Sequence, residues 1–100
     1  MKKALEDIKR IDQMDYKSLE KAMCKFHEEV GEFAREVNKS IGMKTHNETE
    51  SQVRDNILEE MADTFQNLLL VASRFGFSID DIENEIMRKN EVWIRKVIDK

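Results

Sequence analysis

Proline is absent from this 100-residue chain, and glycine occurs only three times. A β-sandwich or barrel needs more of both for its tight turns, so the scarcity points to long helices. The single cysteine, Cys24, can form no internal disulfide. It falls within a helical pattern and reads as a small core residue, and such usage suits a reducing, cytoplasmic compartment. No apolar run approaches the roughly 18 residues of a membrane helix. The opening MKKALEDIKRID has lysines with no apolar stretch behind them, so it does not read as a signal peptide. Positive charge is not in excess either: the net charge of −4 argues against a general binder of nucleic acid or of acidic membranes.

The chain is 40% hydrophobic and 38% charged, which is too apolar for disorder. Its length is that of one small domain, residues 1–100, with no internal repeat. A domain this short has a modest core, and association between subunits would add buried area. The spacing predicts a first helix over residues 3–14, then a second to about Lys39, capped by Asp15 or Ser18. Phe26, Val30, Phe33 and Val37 form the apolar face of the second helix. The polar segment SIGMKTHNETES (40–51) is a loop. A third helix from about Gln52 to Phe75 carries Leu58, Met61, Phe65, Leu68, Leu69 and Ala72 on its main apolar face. Gly76 ends it, and Ser78 with Asp81 opens a fourth helix. The expected fold is all-α, a compact bundle of about four helices.

Two segments stand out chemically. HEEVGEF places Glu28, Glu29 and Glu32 within one turn, and LEEMADTF does the same for Glu59, Glu60 and Asp63. Each contains two acids three residues apart, which project from one flank of a helix. Glu29 lies about 60° and Glu32 about 120° from the direction of Phe26, beside the apolar face. Glu60 and Asp63 lie opposite Phe65, in a polar stripe with Asn56 and Asn67. Like charges so placed repel by a few tenths of a kcal/mol per pair. Brought together, the two pairs offer four hard oxygen ligands for magnesium, with manganese as the alternative ion. Spacing alone leaves this reading level with that of a solvated acidic surface. Other metal motifs are excluded: the second histidine of HExxH would fall at Gly31, and neither acid pair has the Glu-x-x-His of di-iron bundles. His27 and His46 read as ordinary surface or rim residues.

EEVGEFAREV and EEMADTFQNLLLVA, followed by RKNEVWIRK, resemble the two acidic helices and the closing segment of MazG-like nucleoside triphosphate pyrophosphohydrolases. These belong to the all-α NTP pyrophosphatase superfamily, and the resemblance covers roughly residues 16–97. It implies Glu29, Glu32, Glu60 and Asp63 as magnesium ligands, with Glu28 assisting the attacking water as a catalytic group. It also implies hydrolysis of a (deoxy)nucleoside triphosphate to the monophosphate and pyrophosphate. Lys89, Asn90 and Arg95 would then approach the substrate, the cations neutralising phosphate oxygens. Phe26, Phe33 or Trp93 could stack on a base, Asn67 or Asn90 could bond its edge, and Lys44 is a loop candidate. The family builds its site on more than one subunit, so a homodimer or homotetramer is expected. The rival readings are a helical interaction module with merely superficial acids and a degenerate member that binds without turnover.

Overall fold

The computed structural model describes residues 1–100 as four helices and no strand. They are α1 (Lys2–Met14), α2 (Leu19–Ser40), α3 (Glu50–Arg74) and α4 (Ile79–Ile98). Of the two expected caps for α2 it is Ser18 that serves, its hydroxyl accepting from the Lys21 N–H at 3.2 Å. Helix α3 starts two residues earlier than the spacing predicts. Thr49 and Gln52 form a reciprocal capping box that the apolar pattern does not register. Ser78 and Asp81 make the same arrangement at α4.

Helices α2 and α3 end alike. Gly42 (φ 77°) follows α2 and Gly76 (φ 74°) follows α3. In each, the glycine N–H bonds back to the second-last helical carbonyl and the next N–H to the third-last. These pairs are Gly42 to Lys39 and Met43 to Asn38, then Gly76 to Ser73 and Phe77 to Ala72. Both ends are Schellman motifs, which need the left-handed backbone that glycine supplies.

Packing within the chain is concentrated on α3, which lies against α2 along its length and is crossed by α1. Leu5 and Ile8 of α1 meet Leu69 in a small buried cluster, with Leu70 and Ile79 against it. Arg74 at the end of α3 donates to both carboxylate oxygens of Asp12 at 2.6 Å. The same guanidinium donates to the Lys17 carbonyl and lies 4.2 Å from the centre of the Tyr16 ring. One side chain thereby ties α1 and the α1–α2 linker to α3.

The faces turned inward match those expected only in part. On α2 only Ala22 and Glu29 are buried, while Val30 is exposed and so is Cys24, an expected core residue. On α3 the polar stripe of Asn56, Glu60, Asp63 and Asn67 is part-buried, and of the expected core face Leu69 and Ala72 are buried whereas Leu58, Met61, Phe65 and Leu68 are exposed. Nor is the single chain compact. Helix α4 has no buried residue, and the radius of gyration is 16.7 Å where about 13 Å is usual for this length. Its accessible surface of 8019 Å² exceeds by about 2,000 Å² the value expected for a compact monomer of this mass. No helix is long and apolar enough to cross a membrane.

Candidate metal centre

The pairing of α2 with α3 sets the two acidic turns face to face. Carboxylate oxygens of Glu29, Glu60 and Asp63 lie within 4.8 Å of one another. Glu29 is the one buried charged residue of the chain, and its Oε2 has no hydrogen-bond partner. Glu60 Oε2 is likewise buried and unpartnered. A buried carboxylate oxygen without a donor is costly, and two beside a third acid are costlier. A hard cation would relieve all three, and the all-oxygen donor set fits magnesium or manganese.

The electrostatics of Glu60 carry the same information. Its pKa is pushed up to about 7, first by burial, then by a hydrogen bond with Glu32 and by the charges of Glu32, Glu29 and Asp63. Glu32 therefore adjoins Glu60, but it stands at the exposed edge and outside the tight group of three. A carboxyl that resists ionisation among other acids marks a site short of positive charge.

One cation is already present. Lys25 Nζ lies 2.9 Å from Glu29 Oε1 and 3.8 Å from Glu28 Oε2, and Glu29 and Glu28 both raise its pKa, the hydrogen bond with Glu29 most. Sequence reasoning passed over Lys25. The signal was its position four residues before Glu29, where the next turn of a helix brings the two together.

The other candidates are scattered. Glu28 is exposed and turned to Lys25. Lys89, Asn90 and Arg95 are exposed along α4, as is Trp93, and α4 does not pack along α2 or α3 within the chain. Phe26 and Phe33 are half-buried. Lys44 lies exposed in the loop, whose fixed point is instead Glu48. That carboxylate accepts from Lys39 and from Asn56, both at 2.6 Å. His46 accepts from the Glu48 N–H and His27 is exposed at the edge of Phe26, so neither histidine enters the acidic group.

An open cleft of about 320 Å³ adjoins the acids, with Glu29 and Asp63 at its wall. It lies where α1, α2 and α3 converge, and Lys25, Gln66 and Asn67 line it as well. Asn67 donates its amide N–H to the Asp63 carbonyl at 2.9 Å, which leaves its side-chain oxygen free to accept.

No curated protein and no solved structure gives a match to the chain. A family model does, that of the MazG nucleotide pyrophosphohydrolase domain, over residues 17–96. The matched span contains both acidic turns and the helix that closes the chain, and on that match the protein belongs to the MazG nucleotide pyrophosphohydrolase family.

Proposed function

We propose that the protein is a magnesium-dependent hydrolase that cleaves a nucleoside triphosphate to the monophosphate and pyrophosphate. The observation that carries this reading is the unpartnered, buried oxygen of Glu29 beside Glu60 and Asp63, in a chain of this family. Glu29, Glu60 and Asp63 would hold the ion, with Glu32 joining from the edge. A divalent ion bound there supplies charge neutralisation on phosphate oxygens and activation of water, which is most of what phosphoryl transfer requires.

The chain's own groups divide the remaining work. Lys25 reaches the same cluster and can turn its ammonium from Glu29 to a phosphate oxygen once the acids are neutralised. Glu28, exposed one residue earlier on the turn, can accept a proton from the attacking water. Lys89, Asn90 and Arg95 stand on a helix that leaves its own chain, so they would serve a site shared between subunits.

The exposed surface supports a homodimer or higher oligomer. The excess of about 2,000 Å² per chain is in the range that one partner buries in an obligate homodimer. Leu58, Phe65 and Leu68 on α3 and Ile86, Trp93 and Ile94 on α4 are the residues such an interface would cover.

The test is incubation with each common nucleoside and deoxynucleoside triphosphate plus magnesium, scoring pyrophosphate release. Turnover abolished by a chelator is expected. Failure to hydrolyse any of them, together with no magnesium binding by calorimetry, would sink the reading in favour of an interaction module or a degenerate member.

A further inference from the structure

The cleft beside the acids has a wall that lies outside the span matched by the family model. The family match begins at residue 17, yet Ile8, Ile11 and Asp12 of α1 line the cleft. Its floor is α3, from Asp63 through Gln66 and Asn67 to Leu70, a run of about 10 Å along a helix axis. The two ends differ in charge. At one end stand the acidic cluster and Lys25; at the other, Asp12 and Asp15 stand near Arg74. Arg74 is spent on Asp12 and on the Lys17 carbonyl, which leaves Asp15 and the Lys17 side chain, of opposite charge, as the other ionised groups lining that end.

This polarity orients a nucleotide. Its phosphates require the end where the acids would hold a metal ion beside Lys25, while the pairing of Asp12 with Arg74 and the opposite charges of Asp15 and Lys17 leave the other end close to neutral. What suits the far end is the uncharged half of the molecule. Ile8, Ile11 and Leu70 offer apolar surface to a ring, the free oxygen of Asn67 and the whole amide of Gln66 offer groups for its edge, and Asp15 offers an acceptor for hydroxyl or N–H donors. A volume of about 320 Å³ is at the small end of ligand sites. A nucleoside fits such a space, with the triphosphate reaching from it toward the acids.

We propose that this cleft is the nucleoside pocket of the enzyme, with Gln66 and Asn67 discriminating among bases and α1 closing the pocket from outside the matched span. The proposal rests on the hydrolase reading above. Helix α1 is then a specificity element, held in place by the Asp12–Arg74 pair.

Two substitutions at exposed positions test it without threatening the fold. Ile11→Trp fills the cleft, and Gln66→Ala removes a base-reading amide. Steady-state kinetics are measured for wild type and both variants over a panel of ribo- and deoxyribonucleoside triphosphates. The expected result for Ile11→Trp is a rise of about 10-fold or more in KM with kcat changed much less. For Gln66→Ala it is a change of about 10-fold in the ratio of kcat/KM between the best and the second-best base. Calorimetric titration of the magnesium-loaded protein with the corresponding nucleoside monophosphate should show the same loss of affinity in Ile11→Trp. Wild-type turnover with KM, monophosphate affinity and base ranking all within twofold in both variants overturns the pocket and leaves the hydrolase standing. Absence of wild-type turnover overturns the hydrolase reading, and the pocket with it.

Discussion

Lys25 and Glu29, one turn apart on α2, hold ammonium and carboxylate 2.9 Å from each other at the margin of the acidic cluster. The lysine side chain is about half exposed and the glutamate almost wholly buried, so the cation comes from solvent to serve a charge that cannot leave. Lys25 and a bound metal ion would then compete for one carboxylate. Lys25→Met should lower the thermal midpoint of the metal-free protein, because Glu29 loses its only neutralising partner. It should also tighten magnesium binding by about 2- to 5-fold, the range open to an exposed ion pair. Thermal melts and calorimetry with and without magnesium check both. Unchanged magnesium affinity would show that the pair does not compete with the ion.

Glu60 gives the pH dependence. Unfolded, its carboxyl ionises near 4.5; folded, burial and the neighbouring acids move that to about 7. Between those values the native state holds a proton that the unfolded chain releases, so stability falls as pH rises through the window and levels off above it. The full effect is on the order of a few kcal/mol. Denaturation in chelator from pH 4.5 to 8 should show this decline, and Glu60→Gln should abolish most of it. The same variant should lose at least about 100-fold in turnover, the scale of one essential electrostatic group. A variant that hydrolyses nucleotide at the wild-type rate excludes Glu60 as a ligand.

Much of this was legible in the sequence because it is local. Helix ends follow from Ser18, Ser78, Gly42 and Gly76, whose effects act within four residues. The two acid pairs could be read for the same reason. The direction in which α3 turns could not. Its polar stripe meets the α2 face that carries Glu29, while Phe65 and Leu68 are left outward, and nothing in the spacing of one helix says which face a neighbour takes. The burial rule sends the larger apolar face inward, and that rule describes an assembled protein better than this single chain. Asp12 and Arg74 were missed because their pairing spans 62 positions.

That pair supports a third prediction. Both side chains are mostly shielded from water, and Arg74 holds the Asp12 carboxyl below its ordinary range, chiefly through their hydrogen bonds. A depressed carboxylate contributes stability that is present above its unfolded value near 3.8 and is lost as pH falls through the lower folded value. Asp12→Asn should therefore destabilise at pH 7 and converge with wild type in strong acid. Amide hydrogen exchange should rise first in α1. Uniformly faster exchange across all helices would show instead that α1 is not an independently loosened element.

At Gly76 the backbone sets the cost. Its φ of 74° closes α3, and a Cβ built there meets nothing within 4 Å. Gly76→Ala is therefore free of steric clash and carries only the left-handed penalty, about 1–2 kcal/mol. Urea denaturation should show that loss with an unchanged m-value. A larger loss would mean that the α3–α4 turn is packed against another subunit.

The assembly itself is open to a direct test. Phe65 and Leu68 of α3 and Trp93 and Ile94 of α4 are each between 45% and 69% exposed, more large apolar side chain than a monomer usually leaves to water in one region. If a second copy covers them, folding and association are one equilibrium, and the melting temperature must climb with protein concentration. Phe65→Asp and Trp93→Lys place charge in that interface. Each should shift sedimentation toward the monomer, lower the melting temperature and reduce turnover together, because Lys89 and Arg95 would no longer reach a partner's acids. A wild type that sediments as a monomer and melts independently of concentration rejects the shared site. Glu29, Glu60 and Asp63 would then have to act with Lys25 as their only cationic neighbour.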